Sequence, residues 1–136
     1  MRLEQLYRLR FSYLEHWIVE GPDTQFLGIA EGRCEGAVTG RFRGANSPRR
    51  RPDNVYLPNF DAIVETDDGA TIAVHIAGYG RAREDGEREV VGTITHLSGD
   101  ERYARLNDAL CVLSGESRAK EIVLDVAELV WEPLAE

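Results

Sequence analysis

Asn59-Phe60-Asp61-Ala62-Ile63-Val64-Glu65-Thr66, Asp67-Asp68-Gly69 and Ala70-Thr71-Ile72-Ala73-Val74-His75-Ile76 form two alternating runs around a three-residue loop. A loop of that length ending in glycine suits a type I turn whose third residue is left-handed, which is the geometry of a β-hairpin. The register pairs Thr66 with Ala70. It lays Phe60, Ala62 and Val64 opposite Ile76, Val74 and Ile72 on one apolar face. Glu65, Ile63 and Asp61 then lie opposite Thr71, Ala73 and His75 on the other face.

The same two-residue period continues on both sides of this hairpin. At the start of the chain, Leu3, Gln5, Tyr7, Leu9, Phe11 and Tyr13 share one face, while Glu4, Arg8, Arg10 and Ser12 share the other. That alternation marks a half-buried strand. Gly21-Pro22-Asp23 supplies a turn. Between Gln25 and Asn46 a glycine stands at every fourth position: Gly28, Gly32, Gly36, Gly40 and Gly44. In strands such a row lies on one face and permits the strong coiling that barrel closure requires.

Further strands are expected over Glu89–Leu97, Ala109–Ser114 and Glu121–Trp131. A short helix is expected near residues 99–107, with Ser98 and Glu101 as a capping box and Asn107 as a left-handed stop. Short strands, frequent turns and one short helix define an all-β fold, a small antiparallel β-barrel formed by one domain over residues 1–136.

The net charge of −8 opposes general affinity for nucleic acid or an anionic membrane, despite the basic run Arg49-Arg50-Arg51. No stretch approaches the apolar length of a membrane-spanning helix. The first residues lack the pattern of a signal peptide, and Cys34 and Cys111 read as reduced, buried thiols; a cytoplasmic location is expected. A disulfide between them stays open at this level. The three histidines and two cysteines show no zinc-type spacing, and no phosphate or dinucleotide fingerprint is present, so neither metal nor cofactor is expected.

Four segments occur in a recognisable order: Glu31-Gly32-Arg33-Cys34-Glu35-Gly36, Gly40-Arg41-Phe42-Arg43-Gly44-Ala45-Asn46, Thr66-Asp67-Asp68-Gly69-Ala70-Thr71-Ile72, and Asp100-Glu101-Arg102-Tyr103-Ala104-Arg105-Leu106-Asn107. The set resembles a bacterial domain-of-unknown-function family with an allene oxide cyclase-like β-barrel. The resemblance implies a small antiparallel barrel, often a homo-oligomer, whose cavity holds a small organic molecule. Related barrels include cyclases acting on apolar substrates. The chain departs from the family pattern at Arg105, where an aromatic residue is expected, and in the loop Ser47-Pro48-Arg49-Arg50-Arg51-Pro52.

Candidate chemistry follows from the hairpin. Asp61 opposite His75 can fix one imidazole tautomer and create a general acid/base, with Glu65 on the same face as a second proton-transfer group. An ordinary cross-strand polar pair on the surface explains the same residues. Asn46 with Arg49, Arg50 and Arg51 suits a mouth for an anionic substrate, although a solvated loop stiffened by Pro48 and Pro52 also fits. Tyr56 and Tyr79 are further candidates for substrate contact, Tyr79 at a pocket rim between Gly78 and Gly80. His96 suits a structural hydrogen bond, and His16 carries little information.

Two functions remain open. One is a cofactor-independent isomerase, cyclase or lyase working by proton transfer. The other is a non-catalytic barrel that binds an apolar ligand or serves as an oligomeric interaction module. Apolar residues on both faces of the last strand suit the second, and equally a strand buried within one subunit.

Overall fold

The computed structural model describes residues 1–22 and 24–136, so Asp23 of the expected Gly21-Pro22-Asp23 turn lies outside the described residues. Ten strands follow the chain: β1 (Arg2–Val19), β2 (Gln25–Gly36), β3 (Gly40–Asn46), β4 (Arg49–Arg50), β5 (Tyr56–Leu57), β6 (Asn59–Thr66), β7 (Thr71–Ala82), β8 (Arg88–Leu97), β9 (Cys111–Arg118) and β10 (Glu121–Val130). Eight of them close an antiparallel barrel in the order β1-β2-β3-β6-β7-β8-β9-β10, with β10 returning to β1. Within the closed barrel the strands are paired on both sides, whereas β1 beyond Phe11 is paired with β2 alone. The two-residue strands β4 and β5 add a strip across one end, linking Gln25 of β2 through Arg49 and Tyr56 to Gly80 of β7.

The hairpin β6–β7 takes the register read from its sequence, with Phe60↔Ile76, Asp61↔His75 and Val64↔Ile72 paired. Gly69 has φ of 93°, the left-handed value that the turn requires. Phe60, Ala62, Val64, Ile72, Val74 and Ile76 point into the barrel and are buried.

Tyr7, Leu9 and Phe11 do the same on β1, which runs six residues beyond Tyr13 as half of a long ribbon with β2. Two bulges interrupt that strand, between Gln5 and Tyr7 and between Tyr13 and Glu15.

At mid-barrel the rings of Phe11, Phe42 and Phe60 meet with centroids 5.3–5.4 Å apart. Glycines make the room. Gly32 is paired with both Phe11 and Phe42, and a Cβ there would lie 1.8 Å from the Arg10 carbonyl oxygen. Gly44 is equally tight against Asp61 and Ala62. Small backbone beneath a large ring is how a sharply coiled barrel keeps its core dense.

Beyond these rings one end of the barrel is solid. Cys34 and Cys111 are buried there as free thiols, and burial pushes the Cys34 thiol up to about 12. The helix expected near 99–107 is instead a 3-10 turn, Ala104–Asp108. Its capping box does not form: the Ser98 hydroxyl donates to the Thr71 carbonyl oxygen at 2.8 Å and accepts the Asp100 N–H at 3.2 Å, not that of Glu101. Asn107 is not left-handed; its amide brackets Ser98, accepting from the Ser98 N–H and donating to its carbonyl. Tyr103 donates to Asp68 at 2.7 Å, which straps this segment over the barrel end while Leu106 inserts into the core. Among the described residues, no helix is long and apolar enough to cross a membrane.

This solid end contains one buried polar pair, Tyr7 Oη and His96 Nε2 at 2.7 Å. His96 Nδ1 has no partner among the described residues, and burial lowers the imidazole from its ordinary 6.5 to about 4. The unfolded imidazole therefore takes up a proton below pH 6.5 that the folded one refuses until about pH 4. Stability should fall across that window by about 3 kcal/mol. His96→Gln keeps an amide partner for Tyr7 without titrating. Between pH 7 and 4.5 its urea midpoint should drop less than that of the wild type; an equal drop would show that His96 protonation is not linked to folding.

Candidate ligand-binding site

Above the three phenylalanines the barrel is open. A cavity of about 340 Å³ occupies this end, within the range of small-molecule sites. Phe11 and Phe60 form its floor, Ile76, Val90, Ile122 and Leu124 its sides, and Trp17, Ile18, Phe26 and Tyr56 its mouth. Among the described residues, no carboxylate lines it. The β4–β5 strip contributes Tyr56, and the loop around it Pro48 and Pro58, so the segment between β3 and β6 builds one wall.

The polar groups of the cavity are few and ordered. Asn46, only 7% exposed, accepts the Asn59 backbone N–H through Oδ1 at 3.0 Å. That bond fixes the amide, so Nδ2 is the atom that donates to Tyr13 Oη at 2.9 Å. Tyr13 therefore receives a hydrogen bond and donates none to the described residues. Its own hydrogen is left for the cavity. Burial raises the Tyr13 hydroxyl above its ordinary value, with Asn46 and the Arg88 charge acting in the opposite direction, so the group stays protonated near neutral pH.

The bulge after Tyr13 brings His16 to the same inward face. Two side chains three apart would point to opposite faces in a regular strand, but Tyr13 pairs with Ala30 and His16 with Gly28, both inward positions. The Tyr13 ring covers Gly28, where a Cβ would come within 2.6 Å of it. Arg88, at the first position of β8, shares the inward row of Val90, Ile94 and His96 and lines the mouth. Its guanidinium stacks 4.0 Å from the Tyr56 ring centroid; Tyr56 meets Phe26 at 5.6 Å, and Arg50 lies 5.9 Å over Phe26.

The residues singled out from sequence divide between this site and the outer wall. Asn46 and Tyr56 line the cavity, and Arg50 stands on its rim. Asp61 and His75 are joined, Oδ1 to Nδ1 at 2.8 Å, but on the outside of the barrel with side chains 80% and 43% exposed. Glu65 is on that outer face too, paired with Thr71. Tyr79 also faces outward, under Arg81. Tyr13, His16, Trp17 and Arg88 are the cavity residues that the sequence reading left out. The inward rows of β1 and β8 ended on Tyr13 and Arg88, and that was the available signal. Among the described residues, no three His, Cys, Asp or Glu side chains converge as a metal site.

With the site described, comparison with known proteins places the chain. Residues 1–129 match the family described as "Protein of unknown function (DUF3237)", and the chain belongs to that family. No curated protein matches it. Among solved structures it is similar to a β-barrel-like protein of Acinetobacter baumannii AYE, with TM-score 0.84 and 19% identity over 93% of this chain and 94% of that one. It is similar to a conserved protein of unknown function from Rhodopseudomonas palustris, with TM-score 0.86 and 17% identity over 95% and 97%. An enzyme from Penicillium herquei has TM-score 0.72 and 17% identity over 93% and 92%. These likenesses establish a shared barrel.

The outward Asp61–His75 pair generates a direct expectation. His75→Ala should cost no more than about 1 kcal/mol, the scale of an exposed cross-strand polar pair. It should also leave ligand uptake by the cavity unchanged. Urea melts and a ligand titration of the variant check both, and a large loss of either would tie this pair to the cavity.

Proposed function

We propose that this barrel takes up a small, largely apolar organic molecule and promotes a cofactor-independent proton transfer on it, of the isomerase, cyclase or lyase kind. The observation that carries the reading is the Asn59–Asn46–Tyr13 chain, which leaves the Tyr13 O–H without a protein acceptor among the described residues in a largely apolar cavity. A positioned donor in a largely apolar cavity is worth most against an oxygen that gains negative charge during the reaction. In this scheme the Tyr13 hydroxyl donates to a carbonyl oxygen of the substrate. His16, which lines the same cavity, accepts a proton from the α-carbon of a β,γ-unsaturated carbonyl substrate, giving a dienolate, and returns it to the γ-carbon as the C=C bond shifts into conjugation. No electrons or atoms are lost in that cycle. The fungal neighbour called an enzyme supports the capacity of the barrel to host chemistry, without supplying the reaction.

Two measurements test it. Trp131→Phe leaves Trp17, at the cavity mouth, as the single tryptophan of the chain's two. The neutral fluorophore N-phenyl-1-naphthylamine should bind this variant saturably and quench Trp17 by energy transfer; no saturable quenching would remove the binding reading. The protein should also accelerate deuterium exchange at the α-carbons of 2-tetralone in heavy water, followed by NMR. Tyr13→Phe should lower that rate by about 10²-fold or more while fluorophore binding persists. Exchange at the buffer rate would leave the non-catalytic alternative, a barrel that only binds.

A further inference from the structure

We infer that the ligand of this cavity carries a negative charge at its solvent-facing end, of carboxylate type, and that Arg88 selects it. The inference rests on the cavity being a ligand site, as proposed above, and adds the chemical class of what enters. Four observations lead to it.

Among the described residues lining the cavity, Arg88 is the one arginine, lysine, aspartate or glutamate, in a chain whose net charge is −8. Most arginines on the outer wall hold carboxylates, among them Arg8 with Asp125, Arg10 with Glu121, Arg41 with Glu31, Arg83 with Glu116 and Arg102 with Asp100, whereas Arg43, Arg49, Arg50 and Arg81 hold none among the described residues. Arg88 has no such partner among the described residues.

The acidic residues beside it in sequence are directed elsewhere. Glu87 accepts from the Ser117 hydroxyl at 2.5 Å and from the Ala119 N–H at 2.9 Å. Glu89 is exposed opposite Arg81 on the adjoining strand. With so many carboxylates on the surface, an unpaired guanidinium kept at an acid-free mouth is suited to an anion that arrives from solution.

The guanidinium is also held in place. Its Cζ lies 4.0 Å from the Tyr56 ring centroid, a contact that leaves its N–H groups for a planar carboxylate. Arg50, over Phe26 on the same rim, adds a second positive charge.

Finally, the two polar features stand in one chamber. Arg88 and Tyr13 line the same cavity of about 340 Å³, so a molecule that fills it can meet both. Its apolar body would occupy the space between the phenylalanine floor and the mouth.

The test compares 2-naphthoate with 2-naphthamide, two ligands of one shape that differ in charge, by NMR titration of the ¹⁵N-labelled full chain. The wild type should bind naphthoate about tenfold more tightly, the scale of one charge-assisted hydrogen bond. Arg88→Gln should abolish that preference with naphthamide binding retained, and Arg88→Lys should restore part of it. Arg81→Gln, which removes the same charge beside the outward Tyr79, should leave the preference intact. Equal binding of the two ligands by the wild type would overturn the inference, as would an equal loss in Arg81→Gln and Arg88→Gln. If neither ligand moves the cavity resonances, the binding reading itself fails and the anion preference falls with it.

Discussion

The contact on which the rest of the structure depends is the packing of Phe11, Phe42 and Phe60 over glycine backbone. Each ring is nearly or wholly buried. Burying a phenylalanine is worth about 1.5–3 kcal/mol, and an aromatic pair adds about 0.5–1.5 kcal/mol. The rings can meet only because Gly32 and Gly44 leave room beneath them, where a side chain would collide with the neighbouring strand. The same cluster divides the interior. On one side the chain fills the barrel with its own side chains; on the other the rings become a floor with space above. The cavity is a consequence of where the aromatic layer stops.

Electrostatics are partitioned along the same lines. The outer wall carries cross-strand pairs such as Arg8–Asp125 and Arg83–Glu116, each solvated and each contributing little alone. They do cover apolar stems: Val123, paired with Arg10 and Glu116, is buried. The open end shows the reverse arrangement, with arginines stacked on rings and no lining carboxylate among the described residues. An acidic protein that keeps acid away from its cavity has a mouth of opposite sign to its surface.

The fold was legible where the two-residue period is uninterrupted. The β6–β7 hairpin could be registered residue by residue, because its turn chemistry and its alternation agree. The site was legible only in part. Asn46 and Tyr56 were found, yet the Asp61–His75 pair drew attention because it sits in the hairpin easiest to read. In that hairpin the apolar face is the inner one, which sends polar partners outside. His16 was hidden by the bulge at Leu14, since a bulge changes the face of every later residue and leaves no signature in the period. Arg88 was hidden by convention: an arginine at a strand end looks like surface, and only the row Val90, Ile94, His96 shows that its face is interior. The expected capping box did not form: the Ser98 oxygen accepts from Asp100, one residue short of Glu101, with its hydrogen turned to Thr71.

Tyr7 and Tyr13 show how one strand can give the same side chain two different uses. Both stand on β1 and face the barrel interior, on opposite sides of Phe11. Tyr7 meets a neutral imidazole in the solid end, beneath the segment that Leu106 pins down, and its hydroxyl is occupied by His96. Tyr13 meets an amide already committed to the Asn59 backbone, so it can only accept from Asn46 and its hydrogen is free. Burial raises both hydroxyls, keeping each protonated. The difference lies in the partner: the imidazole of His96 uses the Tyr7 hydroxyl within the core, while the fixed amide of Asn46 positions the Tyr13 oxygen and leaves its proton facing the one side of the aromatic floor that has room for a ligand.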